Sequence, residues 1–162
     1  MSEYRRIVLA ARPGGKPVTP EHFRMESVPV PEPGEGQVLV RNHYLSLDPY
    51  MRGRMEDVKS YAPPQPLDEV MVGATVGEVV ASRHADFNEG DKVQGMLGWA
   101  EMGLADGGEI RKIDTTHVPM SAYLGPCGMP GLTAWYGLTR IIQPKQGETV
   151  VVSAASGAVG SV

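Results

Sequence analysis

The fold is constrained most by the C-terminal segment ETVVVSAASGAVGSV, residues 148–162. Its three consecutive valines, Val150–Val152, predict a strand buried on both faces, as in parallel sheets. Small residues follow, with Ala155, Gly157 and Gly160 spaced as A-x-G-x-x-G. A strand that passes through a glycine turn into a helix offers free N–H groups and a positive dipole end to a phosphate. The pattern indicates the start of a dinucleotide-binding unit, although a small-residue turn in any α/β protein has the same composition.

The unit that begins there is incomplete within the 162 residues. A strand–crossover–strand unit needs ~30 residues or more, and the acidic residue that binds the ribose follows the glycines by about 20 positions. We therefore interpret the chain as part of a longer protein, with a first domain at residues 1–125 and the truncated start of a second at 126–162. Alone, this piece is expected to bind a dinucleotide very weakly, to catalyse nothing, and to self-associate through residues 129–162, because unpaired apolar strand edges seek partners.

Composition excludes several classes of function. The formal net charge is −4 with 21% charged residues, and no basic run favours nucleic acid or an anionic membrane. No stretch approaches the ~18 apolar residues of a membrane span. The single cysteine, Cys127, permits no intramolecular disulfide and is consistent with the cytoplasm. We interpret Cys127 as a small apolar residue rather than a nucleophile, because no base lies beside it.

Short apolar runs, separated by many glycines and prolines, predict a mostly β, barrel-like first domain. Strands are predicted around residues 4–12, 23–31, 37–47, 70–83 and 92–97, with further short strands near Gly107. Gly73 and Gly77 within one of them indicate bulges or close backbone approach. Asp48 and Pro49 predict a capped helical turn, and the apolar spacing over Met129–Ile142 predicts a helix.

Few side chains suggest chemistry. The four histidines are widely spaced and no Cys-x-x-Cys occurs, so no metal site is predicted. The segment YLSLDPYMRG places Tyr50 and Arg52 in a loop after a strand, where functional residues collect. A tyrosine there can donate a proton or a hydrogen bond to a carbonyl oxygen. The alternative is that Tyr50 only packs its ring against a capped turn.

Three motifs carry a resemblance that covers essentially the whole chain: YLSLDPYMRGRM, GMPGLTAWYGL and GETVVVSAASGAVGSV. In this order they resemble the zinc-independent medium-chain dehydrogenase/reductases, most closely the branch of leukotriene B4 12-hydroxydehydrogenase, prostaglandin reductases, alkenal double-bond reductases and bacterial NADPH-dependent curcumin reductases. The resemblance implies a GroES-like β-barrel followed by a Rossmann domain. Zinc-using members carry Gly-His-Glu where this chain has Gly73-Ala74-Thr75, and their four-cysteine loop is absent.

The resemblance also implies a reaction, a cofactor and site residues. NADP(H) transfers hydride to the β-carbon of an α,β-unsaturated ketone or aldehyde, and the charge that reaches the carbonyl oxygen needs a hydrogen-bond donor. Tyr50 matches the family tyrosine in this role, and Met129 and Thr133 match the segment that lines the nicotinamide pocket. The pyrophosphate loop corresponds to Gly157, Ala158, Val159, Gly160 and Ser161. We expect two partners, a small-molecule enone or enal as substrate and a second copy of the protein in a homodimer.

Two other functions stay open. A quinone reductase of the same superfamily would differ mainly in its substrate pocket, and LDPYMRG favours the enone branch. A non-catalytic GroES-like binding module would be expected to end near residue 125, without the valine run and the glycine turn.

Overall fold

The computed structural model describes residues 2–162, and they form two compact units that meet in sequence between Ile113 and Asp114. The described part of the first unit contains seven strands, one short α-helix and two 3-10 helices (Pro20–His22 and Gly107–Glu109). The strands and the α-helix are β1 (Glu3–Leu9), β2 (Phe23–Pro29), β3 (Gln37–Leu45), α1 (Tyr50–Arg54), β4 (Thr75–Ser82), β5 (Lys92–Gly95), β6 (Met102–Asp106) and β7 (Ile110–Lys112). The predicted predominance of short strands in this region is confirmed.

The strands form two antiparallel sheets. A five-stranded sheet has the order β6-β3-β4-β5-β7, and β1 pairs with β2 in a two-stranded sheet. Two isolated antiparallel bridges, Arg6 to Ala100 and Val8 to Val70, join β1 to the segments around the larger sheet. The sheets therefore curl into a barrel that hydrogen bonding closes only in part.

Two apolar clusters fill this unit. One lies within the five-stranded sheet and contains Val38, Val40, Val79, Phe87, Val93, Ala105 and Ile110. The other joins β1, α1 and the segment before β4, and it contains Leu9, Met51, Met55 and Met71. The second cluster matters for function because α1 rests on it.

The predicted close approach at Gly77 is present. Gly77 in β4 pairs with Asn42 in β3, next to a register shift between Asn42 and Tyr44. A Cβ atom built on Gly77 would overlap the carbonyl oxygen of Arg41 and lie 2.9 Å from Cγ1 of Val40. Only glycine therefore allows β3 and β4 to pair in this register.

The regular structure of the second unit is helical and begins with a 3-10 helix (Met120–Leu124). The helix predicted over Met129–Ile142 is present as α2 (Met129–Tyr136), which continues as a π-helical segment (Gly137–Ile142). The predicted strand Val150–Val152 is not among the strands of the described chain, and turns replace the helix expected after Gly157. A parallel strand requires a neighbouring strand for its backbone hydrogen bonds, and residues 114–162 contain none in this structure.

The division between the units falls at Ile113, whereas sequence places the domain boundary at residue 125. The boundary at residue 125 stays a prediction. None of the helices in the described part of the chain is long and apolar enough to cross a membrane.

The contact at Gly77 generates a stability prediction. Replacing Gly77 with Ala forces β3 and β4 apart, and overpacking of this kind costs about 1–3 kcal/mol or more. Gly108 is the matched control, because a Cβ atom there meets nothing within 4 Å. In urea denaturation, the free energy of unfolding should fall by this amount in G77A and change by less than about 0.5 kcal/mol in G108A. Equal stabilities for the two variants would contradict this account of the register.

Candidate active site

The turn that carries Tyr50 starts where β3 ends. The Ser46 amide donates to the Ala74 carbonyl at 2.9 Å, and the Met51 amide donates to the Asp48 carbonyl at 3.1 Å. Helix α1 begins at Tyr50 with Pro49 in the capping position, and no side chain caps it. The expectation that the Asp48 carboxylate caps this helix is wrong, because its backbone carbonyl accepts the bond instead.

One face of α1 is anchored in the barrel. Met51 and Met55 are 5% and 2% exposed and pack with Leu9 and Met71. The half-buried ring of Tyr50 packs against the same cluster. The sequence achieves this locally because Met51 and Met55 are four residues apart and so lie on one face of a helix.

The hydroxyl of Tyr50 is buried, and no residue from 2 to 162 hydrogen bonds to it. Burial raises the pKa of the phenol, and the negative charge of Asp48 raises it further, while Arg54 opposes the shift. The group therefore remains protonated throughout the neutral range. The site thus holds a hydrogen-bond donor that is not committed to any other group in the described chain.

A cavity of about 310 Å³ opens beside the turn, on the side of α1 that presents Met51 and Arg52. Leu47, Met55 and Trp99 are among its other, mainly apolar, lining residues. Tyr50 is not among the residues that line this cavity.

The segment Gly73-Ala74-Thr75, where the resemblance places the metal ligands of zinc-using members, is tightly packed here. A Cβ atom on Gly73 would lie 2.6 Å from Cδ1 of Leu45 and 3.1 Å from Cδ1 of Trp99. Thr75 is 1% exposed and its hydroxyl has no partner within residues 2–162. No group of three or more His, Cys, Asp or Glu side chains in that range is placed to hold a metal ion.

The remaining predicted site residues lie in the second unit. Met129 and Thr133 are adjacent on α2, where the Thr133 hydroxyl donates to the Met129 carbonyl at 2.7 Å. Residues 157–161 form one tight turn, in which the Ser161 amide donates to the Gly157 carbonyl at 3.0 Å. A Cβ atom on Gly160 would overlap the Ala154 carbonyl, so the glycine is required by the turn itself.

Two residues that hold α1 were not predicted from sequence. Arg12 donates to the carbonyl oxygens of Met55 and Gln65, and Gln65 is itself buried. Arg12 is separated in sequence by 43 positions from Met55 and by 53 positions from Gln65. No local sequence pattern indicates contacts over such distances. The one available signal was a polar glutamine within a proline-rich loop.

The amino-acid sequence matches a known family. A family model described as the N-terminal domain of oxidoreductase matches residues 5–113. The chain therefore belongs to the family of oxidoreductase N-terminal domains. The resemblance to the branch of prostaglandin, alkenal and bacterial curcumin reductases, and the mostly β GroES-like fold that it implied, are confirmed by this match and by the relatives described next.

Similar proteins are reductases that use NADPH or NADP. The chain is 54% identical over 157 residues to the NADPH-dependent curcumin reductase of Escherichia coli, covering 97% of this chain and 45% of that protein. It is 46% identical over 139 residues to the NADP(+)-dependent 2-alkenal reductase of Nicotiana tabacum, covering 82% and 39%. The chain spans about half the length of the curated relatives that it matches.

A solved structure agrees closely with the fold. The crystal structure of CurA in complex with NADPH from Vibrio vulnificus superposes with a TM-score of 0.88 at 52% identity, over 97% of this chain and 46% of that chain. The similarity extends through both compact units, because it covers nearly all of the 162 residues.

The packing around Gly73 generates a metal prediction. Ala74 has no ligand atom and Thr75 offers only a neutral hydroxyl, whereas zinc binds thiolate, imidazole or carboxylate groups. Protein purified without added zinc should contain well under one equivalent by elemental analysis. A stoichiometric zinc ion that survives dialysis would contradict the prediction.

Proposed function

We propose that the whole protein carrying this chain uses NADPH to reduce the C=C bond of α,β-unsaturated ketones and aldehydes. The names of the curcumin and 2-alkenal reductases that match this chain support the substrate class. The observation that carries the proposal is the Tyr50 hydroxyl, a buried and protonated donor without a partner in the described residues. We also propose that the protein acts in the cytoplasm and on no nucleic acid.

The reaction needs a donor at one atom. NADPH supplies a hydride to the β-carbon when it is bound. As the C=C bond is lost, negative charge develops on the carbonyl oxygen of the substrate, and a donor aimed at that oxygen lowers the barrier. A proton then reaches the α-carbon, which completes a net addition of two hydrogens across the bond.

Tyr50 has the properties that this donor requires. Its raised pKa keeps the proton on the phenol at neutral pH, and a buried donor interacts more strongly with charge than one in water. Because the hydroxyl is buried, a substrate carbonyl reaches it only after the surrounding side chains adjust. Such adjustment is common, since catalytic hydrogen bonds often tighten only in the substrate complex.

Residues of the second unit are proposed to hold the cofactor. The turn at Gly157, Ala158, Val159, Gly160 and Ser161 has small side chains, so its backbone can approach a pyrophosphate. The fit is supported by Gly160, whose place in the turn excludes any Cβ atom. Met129 and Thr133 are proposed to face the nicotinamide. Both are exposed, and the Thr133 hydroxyl oxygen can accept a hydrogen bond while the hydroxyl donates its own to the Met129 carbonyl.

Replacing Tyr50 with Phe tests the proposal, because it removes the hydroxyl and keeps the ring. In the whole protein, kcat for an enone should fall about 10- to 1000-fold with a smaller change in KM. The rate is measured from the loss of NADPH absorbance. Y44F is the matched control, since Tyr44 lies in β3 with 53% of its surface exposed, and it should keep the original kcat. An unchanged kcat in Y50F would reduce Tyr50 to a packing residue.

A homodimer is part of the same proposal. The second unit exposes large apolar side chains, among them Leu132 at 63%, Ile141 at 71% and Val151 at 85%. Exposed apolar patches of this kind mark interaction sites. Light scattering of this 162-residue chain should give twice its monomer mass, and I141D should lower the mass to that of a monomer. A monomer at all protein concentrations would contradict self-association.

A further inference from the structure

Helix α1 is too short to hold its own position. It has five residues, Tyr50–Arg54, and no side-chain cap. Forming the first turn of a helix is unfavourable in free energy, and a helix of this length gains too few internal hydrogen bonds to offset that cost. The location of the Tyr50 hydroxyl therefore depends on contacts that α1 makes with other segments.

Arg12 makes two such contacts at the carboxyl end of α1. Its Nη1 donates to the Met55 carbonyl at 3.0 Å, and its Nη2 donates to the Gln65 carbonyl at 3.0 Å. The last carbonyls of a helix have no partner within the helix, and a cation there is also favoured by the helix dipole. The two nitrogens of one rigid guanidinium thus fix the end of α1 and the far end of the following loop together.

Gln65 connects this end of α1 to the body of the barrel. It is 4% exposed, and its amide nitrogen donates to the Arg54 carbonyl at 2.7 Å. Its side-chain oxygen accepts from the Val72 amide at 3.1 Å, and its side-chain nitrogen donates to the Val70 carbonyl at 3.1 Å. A displacement of Arg12 would therefore also displace α1 and the segment that leads into β4.

The segment that contains Arg12 contacts α1 a second time. Arg52 Nη2 donates to the Lys16 carbonyl at 3.0 Å, and Glu56 accepts from Arg52 at 2.6 Å and from the Gly15 amide at 2.9 Å. Arg52 and Glu56 are half-buried like Arg12, but their partners Gly15 and Lys16 are exposed. Arg12 differs from them because it alone among these contacts binds the carbonyl at the end of α1 and, through Gln65, a buried residue of the following loop.

We propose that Arg12 is a positioning residue for Tyr50, which holds the end of α1 so that the Tyr50 hydroxyl meets the substrate carbonyl. This inference rests on the proposed function of Tyr50. Arg12 contacts backbone carbonyls rather than the reacting atoms, so its effect passes through the helix. A displacement of about 1 Å at a catalytic group can lower a rate about 100-fold.

The variant R12K tests this assignment in the whole protein. Lysine keeps the charge but cannot bind two carbonyls as a planar fork. We expect kcat for an enone to fall about 5- to 50-fold, with KM and NADPH affinity changed less than about two-fold. R6K is the matched control, because Arg6 makes a similar half-buried contact with Glu26 on β2, away from α1. It should leave kcat within about two-fold.

A double-mutant cycle separates positioning from a general structural role. If Arg12 acts through Tyr50, R12K should change kcat less than about two-fold when Y50F is already present, because the hydroxyl that it positions is gone. The inference would be overturned if R12K lowered kcat equally in the presence of Tyr50 and in Y50F. It would also be overturned if R6K lowered kcat as much as R12K does. Either result would leave the role of Tyr50 intact.

A measurement without turnover distinguishes failure of the inference from failure of the proposed function. The ¹³Cζ resonance of Tyr50, assigned by its absence in Y50F, reports the ionisation of the phenol. In R12K the midpoint pH of this ionisation should be lower, closer to that of an exposed tyrosine, because water then reaches the hydroxyl. An unmoved midpoint would overturn the inference. A moved midpoint together with an unchanged kcat in Y50F would uphold the positioning by Arg12 and overturn the catalytic role of Tyr50.

Discussion

The site depends on the burial of two methionines. Met51 and Met55 are the side chains by which α1 enters the apolar cluster with Leu9 and Met71. Full burial of such a side chain contributes about 1.5–3 kcal/mol, which is comparable to the cost of ordering a residue or two of backbone. A five-residue helix without a cap thus keeps a defined orientation, and with it the direction in which Tyr50 leaves the backbone.

The pairing of β3 with β4 determines where this helix begins. The register brings Leu45 opposite Thr75, so β3 ends where β4 begins, close to the turn at Asp48. That register is possible because Gly77 has no Cβ atom to meet the Arg41 carbonyl. A glycine in the middle of the sheet therefore controls the position of a tyrosine that lies beyond its edge.

The sequence was sufficient for the features that depend on local pattern. Short strands, the role of Gly77 and the helix that begins at Met129 follow from apolar periodicity and from residues that break it. The valine run was misjudged as a formed strand, because a strand exists only with its neighbours, and the unit that contains Val150–Val152 has none. Tyr50 is a site residue predicted from its motif and from family resemblance, and its role stays a prediction. The contacts of Arg12 and Gln65 were not predicted, because they join residues far apart in the chain.

The unpartnered hydroxyl of Tyr50 also bears on how the protein can evolve. A buried polar group without a hydrogen bond reduces stability by about 1–3 kcal/mol, and here that group is the proposed donor. Selection for stability alone would replace Tyr50 with phenylalanine, which fills the same space without the penalty. Retention of tyrosine at this position in the course of laboratory evolution would therefore measure selection for the reaction, separately from selection for the fold.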